Sequence, residues 1–446
     1  MSEISVTNPL QFFIKEVAIV TKNGAKLDIK KIFEEINIFD SLFLPVVNGT
    51  ILISDSLGLT NKLALDGSES LLIEIAKDED SEIASYKKAF RIYKQTERVN
   101  TNQSGEAYLL HFVSDELMFS DQQRVTQSYT GKYSDIVASI MFDYLQVPAN
   151  QLGGILSDSS GLRKVVIPNL RPLEAIEWCS KRSVDNFSSP NYVFFQNVSG
   201  YNFVGLSDLL TMPAILDVRV QSKNISGQSA ISELSGARSY EVIAQNDSME
   251  KTRSGVNAGK FIGFDPMTRT ISTRAISFLD VYAAMKHGNK TPNITDMQNK
   301  TGQSSMEAFD SKKAVSIFGT GRRYSEYIKA KDPESLTYIE PYEDLVFQRK
   351  SIMKQLMSKR LKFVMPGNFQ LSSGYNVDVN VPELAIKEDG VASEDLSLNG
   401  KHLIVASRHI ISFDKHETVI EVASTSTNKE EVYASNPNQS AEVENY

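Results

Sequence analysis

Residues 361–423 constrain the fold more than any other stretch. They run LKFVMPGNFQLSSGYNVDVNVPE, then a polar loop, then LNGKHLIVASRHIISFDKHETVIEVA. Short alternating runs are separated by turns marked by Gly367, Gly374 and Gly400. Val377, Val379 and Val381 point to one side, and Asn376, Asp378 and Asn380 to the other. Period-two alternation of this kind is the pattern of a half-buried strand. Successive strands with no helix between them predict a small antiparallel barrel or sandwich.

The N-terminal region is written in the same style. FFIKEVAIV (12–20) leads through Lys22-Asn23-Gly24 into AKLDI, and NGTILISD (48–55) alternates around Ile51 and Ile53. SLLIEIAKD (70–78), KKAFRIYKQ (87–95) and EAYLLHFVS (106–114) complete a set of strands at sheet-like intervals. The chain is therefore expected to carry a small β-domain at each end. The similarity is one of pattern, without a residue-level repeat.

Between these regions the period changes. Tyr133, Ile136, Val137, Ile140, Met141, Tyr144 and Leu145 follow helical spacing and predict one buried face. RPLEAIEWCSKRS (171–183) predicts a second helix, with Pro172 at a first helical position and an apolar face of Leu173, Ile176 and Cys179. KVVIP (164–168) and YVFFQN (192–197) flank it as strands. Further on, ILDVRVQ (215–221) reads as a strand and ARSYEVIAQ (237–245) as a helix. KFIGFDPMTRTIS (260–272) reads as a strand interrupted by a turn at Asp265-Pro266. Residues 286–313 are poor in apolar groups and predict a long exposed loop. A helix over 341–360 carries a Met and apolar stripe on 345–357, read as core-facing. The segment after Ser424 is polar: either a disordered tail or one that orders on a partner.

Bulk properties bound the possibilities. A chain of 446 residues exceeds one ordinary core, which predicts roughly three domains. The composition, 41% hydrophobic and 23% charged, is that of a folded protein. A net charge of −8 argues against nucleic-acid binding through broad positive charge. A single cysteine, Cys179, excludes an internal disulfide framework and a cysteine-rich zinc site. The opening MSEISVTNPLQ lacks a charged-then-apolar signal pattern, and no run has the ~20 apolar residues of a membrane span. The expectation is a soluble chain made in a reducing cytoplasm, without stable membrane insertion.

In this order the segments resemble a known family. They are IFDSLFLPVVNGTILISDSLGLTNKLALDGSESLLIEI (38–75), GKYSDIVASIMFDYL (131–145), VVIPNLRPLEAIEWCSKRS (165–183), YVFFQNVSGYNFVGLSDLL (192–210) and SYEVIAQNDSMEKTRSGVNAGKFIGFDPMTRT (239–270). FVMPGNFQLSSGYNVDVNVPE and NGKHLIVASRHII close the series. The chain resembles, over 12–423, the central baseplate hub proteins of contractile-tailed, T-even-type bacteriophages and the hub part of type VI secretion spike proteins. The resemblance implies an α+β, multidomain fold: two tube-type antiparallel β-barrels with α+β insertions. On that plan residues 1–114 form the first barrel and 115–210 an α+β domain. Residues 211–236 with 361–423 form a discontinuous second barrel, 237–360 an α+β insertion with a long polar loop, and 424–446 a polar tail. The polar stretch 286–313 and the loop 382–399 depart from the leanest members as surface insertions.

The resemblance implies a structural virion protein of the tail baseplate, not an enzyme. It implies a homotrimer whose six barrels match the sixfold tail tube on one face and the threefold central spike on the other. The implied partners are the trimeric central spike/tail lysozyme protein, tail tube initiator proteins, the tape measure protein and the surrounding baseplate wedge proteins. Genomic DNA would pass through the ring without sequence-specific binding, and a net negative chain is compatible with keeping it mobile.

The chemical motifs are sparse. His402, His409 and His416 stand seven apart, which places neighbours on opposite strand faces unless a turn intervenes. They are read, with His111 and His287, as ordinary surface histidines and not as a metal site. GTGRR (319–323) is read as a flexible loop whose Arg322 and Arg323 would meet acidic partners. DEDSE (78–82) is read as a solvated hairpin tip. Cys179 is read as a buried structural thiol, and Glu174 and Glu177 as ordinary helix-surface residues. No residue is assigned a catalytic, cofactor-binding or metal role. The alternatives are a tail-associated peptidoglycan hydrolase and a receptor-binding tail module.

Overall fold

The structure is a computed structural model of the chain. It describes residues 12–56, 58–59, 66–76, 84–102, 105–148, 156–185, 189–220, 236–256, 258–265, 269–277, 282, 285–289, 291–292, 315–319, 342–382 and 395–428. The N-terminal strands are β1 (Phe13–Val20), β2 (Lys26–Asp28), β3 (Phe33–Ser41), β4 (Asn48–Asp55), β5 (Ser70–Ala76), β6 (Ala84–Asn102) and β7 (Gly105–Val113). They lie in the order β3-β4-β7-β6-β5-β1-β2 around one core that includes Val17, Ile36, Ile51, Ile73, Phe90 and Phe112. The alternation read from the sequence is the alternation of burial: Ile51 and Ile53 of β4 are fully buried, and Thr50, Leu52 and Ser54 are only half-buried. Each such large apolar side chain stabilises the barrel by about 1.5–3 kcal/mol.

Next comes a compact unit of α1 (Asp115–Asp121), β8 (Ser128–Gly131), α2 (Tyr133–Asp143), β9 (Arg163–Val166), α3 (Pro172–Ser180), β10 (Tyr192–Asn197), β11 (Gly200–Gly205) and α4 (Leu206–Thr211). The predicted face of α2 is buried, and it meets Leu173, Ile176 and Cys179 of α3 in one cluster. Both helices start on a carboxylate that accepts the N–H just before them. Asp135 takes that of Lys132 at 3.3 Å, and Glu174 that of Arg171 at 3.1 Å. Trp178 stands edge-on to Tyr133 with ring centroids 6.3 Å apart.

The remaining elements are β12 (Ala214–Val220), β13 (Gly236–Ala237), β14 (Ser239–Ala244), α5 (Ser248–Arg253), β15 (Ala258–Asp265), β16 (Thr270–Ser277), β17 (Thr291–Pro292), β18 (Val315–Gly319) and α6 (Tyr342–Met357). They continue with β19 (Arg360–Pro366), β20 (Asn376–Asn380), β21 (Gly400–Ile411), β22 (His416–Ala423) and β23 (Ser426–Thr427). The segment 237–245, expected to be helical, is a strand. Tyr240 and Val242 pair with Phe363 and Leu361 of β19, and a waiting partner overrides a weak local preference. At Arg238 this segment changes neighbours. β13 lies parallel on β12 and β14 antiparallel on β19. It thereby closes a second barrel in the order β12-β20-β21-β22-β19-β14/β13.

The two barrels share one plan. In chain order, the strands of the first neighbour one another as β1-β5-β6-β7-β4-β3, and their counterparts in the second as β12-β20-β21-β22-β19-β14. One strand is reversed: β1 runs antiparallel to β5, whereas β12 runs parallel to β20. Even an irregularity recurs. The ladder between β6 and β7 slips at Tyr93, and that between β21 and β22 slips at Val405. What the sequence offers as a similarity of style is a repeated strand order.

The core of the second barrel includes Val218, Leu361, Phe363, Val377, Val379 and Ile420. Leu403, Val405 and Ala423 face outward onto Ile352 and Leu356 of α6, the core contact expected of that stripe, and onto Val193, Phe195 and Leu209. Asn376 ties α4 to this barrel by donating to the carbonyls of Leu209 (2.6 Å) and Met212 (2.8 Å). Where one interrupted strand was expected over 260–272, β15 and β16 are two antiparallel strands, paired from Asp265 opposite Thr270 to Ala258 opposite Ser277, with β18 parallel alongside β15. The start of the polar stretch 286–313 is not a free loop: Asn289 exchanges two hydrogen bonds of 2.9 Å with the backbone of Lys401. Residues 293–314 and 383–394 lie outside the described residues. Among the described residues no helix is long and apolar enough to cross a membrane.

Gly374 holds φ at +89°, and a Cβ there would lie 2.5 Å from the Phe195 ring. Its N–H donates to Ile404, fixing the entry to β20. Gly374→Ala is therefore expected to cost about 2–4 kcal/mol, from the left-handed backbone plus the overpacking. Chemical denaturation of the variant checks this, and an unchanged midpoint would contradict it.

Candidate functional site: the seam between the barrels

β21 outruns its own barrel. Gly400–Leu403 pair with β20, the slip at Val405 turns the strand, and Ala406–Ile411 then pair with Ser41–Ile36 of β3. A bulge re-aims a strand in this way. Six residue pairs thus join the two barrels into one 14-stranded sheet. The end of β3 is also held by the Val405 carbonyl, which accepts the Leu42 N–H at 2.9 Å and the Ser41 hydroxyl at 3.2 Å.

A buried carboxylate locks this seam. Asp40 is 3% exposed. Its Oδ2 accepts from Ser372 Oγ at 2.7 Å and Ser407 Oγ at 2.8 Å, and its Oδ1 from the Ser373 N–H at 2.8 Å. Burial raises its pKa, and these three donors only partly offset that. One acid therefore connects β3, β21 and the loop between β19 and β20. Beside it, Arg408 donates from Nε to Asn37 Oδ1 at 2.9 Å and lies 5.6 Å from the Phe39 ring centre.

The same loop inserts Phe369 between the barrels. Its ring stacks on Tyr86 at 4.7 Å and packs against His409 at 4.8 Å and His416 at 4.7 Å. His409 and His416 are not surface histidines: they are 1% and 8% exposed. The turn between β21 and β22 brings them to one side, with ring centroids 5.6 Å apart. His402 is also fully buried, and its Nδ1 donates to the Gly400 carbonyl at 2.9 Å. Burial pushes His402 down to about 3 and His416 down to about 4, and holds His409 well below its usual value.

The other sequence candidates stand apart. His111 shares a 2.8 Å hydrogen bond with Thr96 Oγ1, and His287 one of the same length with the Tyr282 carbonyl. Among the described residues no group of three or more His, Cys, Asp or Glu side chains could hold a metal ion. Cys179 is buried in the core of the α+β unit. Glu177 pairs with Lys181 on the surface, and Glu174 with Arg171 and Arg124. Arg322, Arg323 and the acidic run 78–82 lie outside the described residues. Sequence reasoning missed Asp40, although a signal was there. It follows Ile36 and Ile38 at period two, an acid where the pattern calls for an apolar residue.

Two outcomes are expected of this arrangement. Asp40→Ala leaves two hydroxyls and an N–H without their acceptor and should cost about 3 kcal/mol; Asp40→Asn, which keeps one acceptor, should cost less. Equal losses in denaturation midpoint would contradict the network. The second concerns pH. In the unfolded chain each imidazole binds a proton near 6.5; in the native chain His402, His409 and His416 bind one only at much lower pH. The unfolded state therefore holds more protons below pH 6.5, and stability falls as pH drops from about 6.5 toward 4, by up to ~1.4 kcal/mol per pH unit for each histidine. Asp40, whose pKa is raised, works in the opposite sense, one group against three. Unfolding free energies measured between pH 7 and 5 check this; a flat profile would contradict it.

No protein-family model matches the sequence, and no curated protein matches it. Solved structures do. The tail protein from Neisseria meningitidis MC58 is similar over 93% of this chain and 97% of its own, at 10% identity and a TM-score of 0.50. The 43 kDa tail protein of prophage MuSo2 from Shewanella oneidensis is similar over 92% and 98%, at 9% identity and a TM-score of 0.50. An E. coli protein described as a component of the type VI secretion system is similar over 93% and 77%, at 8% identity and a TM-score of 0.42. Nearly the whole length of this chain, both barrels and what lies between them, therefore has the fold of the two tail proteins.

Proposed function

We propose that this chain is a structural component of a phage tail: the homotrimeric central hub of a contractile-tail baseplate. In this reading it acts mechanically and not as an enzyme, and it is carried in the virion. The observation that carries the reading is the repeated barrel. One polypeptide bears two barrels of the same strand order, joined side by side by continuous hydrogen bonding. Three such chains present six similar barrels, which suits a sixfold tube on one face, while the ring keeps threefold symmetry for a central spike on the other. The fold shared with two tail proteins over more than nine-tenths of the chain supports the same reading. Passage of DNA through the ring, and contacts with tube initiator, tape measure and wedge proteins, belong to this proposal.

The domain division proposed with it is residues 1–114, 115–210, 211–236 with 361–423, 237–360 and 424–446, although the strand 239–244 at the start of the insertion pairs with β19 of the second barrel. The test is mass in solution over a concentration series, alone and with the spike protein co-expressed, followed by imaging of any large species. The expected result is a species of about three times the 49.7 kDa chain mass, forming a hollow threefold ring. A monomer under both conditions overturns the hub reading, and cell-wall zymography then becomes the next measurement.

A further inference from the structure

The two barrels differ in one buried row. In the first, Leu71 stands opposite Phe90, and the Ser114 N–H donates to the Val47 carbonyl at 3.1 Å. In the second, Val377 stands opposite His402, and the Ser424 N–H reaches the Lys359 carbonyl at 3.4 Å. The next row is Arg91, Val113 and Asn48 in the first barrel and Leu403, Ala423 and Arg360 in the second. Phe90 therefore corresponds to His402, and Val47 to Lys359. Leu71, Phe90 and Val47 belong to the first core. His402 and Lys359 point into the second, because they stand two residues before Ile404 and Leu361, which line it. They are 0% and 1% exposed. Where the first barrel fills the row with a phenyl ring and an isopropyl group, the second places an imidazole and an ammonium.

Neither group has its hydrogen-bonding capacity met. His402 Nδ1 donates to the Gly400 carbonyl, so Nε2 of the neutral ring is an acceptor, and among the described residues it has no partner. Lys359 Nζ has none there either, nor has Nδ2 of Asn399, whose Oδ1 takes the Val381 N–H at 2.7 Å. Asn399 closes the turn that begins at Asp395, donating its N–H to the Asp395 carbonyl at 2.9 Å. Asp395 spends its Oδ1 on Ser397 and the Leu398 N–H, and among the described residues no carboxylate forms an ion pair with Lys359. We propose that this end of the second barrel, where β19 and β21 begin, binds one small monovalent anion of the halide class, held by Lys359 Nζ and Asn399 Nδ2. An ammonium carries three donors. One meets the lone pair of His402 Nε2, and the others, with the Asn399 amide, face the anion. A buried ammonium without a counter-charge is costly, and one bound anion supplies it. Burial pushes Lys359 down to about 8 against a weaker pull from Asp395, which leaves it protonated at neutral pH. The Lys359 charge also acts on His402 and helps to keep that ring neutral, as the arrangement requires. The inference rests on the second barrel alone and is independent of the hub reading.

The test uses the full chain. Unfolding is followed while sodium bromide replaces sodium gluconate at constant ionic strength, which keeps screening fixed. Once bromide exceeds its dissociation constant, the folding equilibrium constant is expected to rise about tenfold for each tenfold rise in bromide, as one bound ion requires. Lys359→Val with His402→Phe writes the row as the first barrel has it, and this variant is expected to fold and to ignore bromide. Lys359→Met, which keeps His402, is expected to lose the response too. An unaltered chain indifferent to bromide overturns the site. An equal response in the variants also overturns it, because the ion then binds elsewhere. Should neither variant fold, the anomalous scattering of bromide in crystals of the unaltered chain decides. A peak between Lys359 Nζ and Asn399 Nδ2 supports the site, and its absence overturns it.

Discussion

The slip in β21 at Val405 is what the rest of the architecture hangs on. A strand can hold a place in two barrels only if it changes direction between them. One extra residue in the ladder does this without breaking the strand. Up to Leu403 the strand belongs to the second barrel; from Ala406 its outer edge serves the first. Everything packed beside that point follows: the Val405 carbonyl receiving the end of β3, Asp40 reaching three donors, and Phe369 wedged between Tyr86 and two histidines. A hydrophobic contact alone would let the barrels roll on each other. Six backbone pairs plus a directional carboxylate fix their angle.

The use of polar groups here has a physical logic. Burying an acid among neutral donors contributes little net stability, because desolvation offsets most of the hydrogen bonding. It contributes selectivity instead. Any register other than Ser407 opposite Asp40 strands a carboxylate in the dry interior, so wrong pairings are penalised far more than the right one is favoured. The neutral histidines act likewise. His409 shares a 3.1 Å hydrogen bond with Thr418 across the β21–β22 hairpin, and moving either strand by one residue would break it.

How much of this was legible in the sequence depended on whether a signal was local. Val377, Val379 and Val381, or Ile51 and Ile53, announce strands because the face they bury is written at period two. Pro172 and Glu174 announce a helix start for the same local reason. The strand 239–244 was not legible. ARSYEVIAQ is locally ambiguous, and its identity is set by β19, more than a hundred residues further along. The burial of His402, His409 and His416 was hidden for a related reason. A spacing of seven separates faces along one strand, but the turn at Ser412–Lys415 brings His416 back beside His409. Asp40 left a trace, as an acid on an otherwise apolar stripe, but its partners Ser372 and Ser407 lie more than three hundred residues away.

The reversed strand says most about how the two barrels came to differ. β1 and β12 fill the same slot, yet β12 runs the other way, parallel to both neighbours. Its direction is set by where the chain comes from. α4 ends at Thr211, and Asn376 at the head of β20 binds the carbonyls of Leu209 and Met212. The chain therefore enters β12 beside the start of β20 and has to run alongside it in the same sense. A parallel pair is slightly weaker per residue, and the register shift between Ala214 and Leu216 marks the adjustment. The α+β unit is thus more than an ornament placed between two barrels. By fixing the point of entry it dictates the direction of the first strand of the second barrel, and the remaining five positions keep the plan of the first.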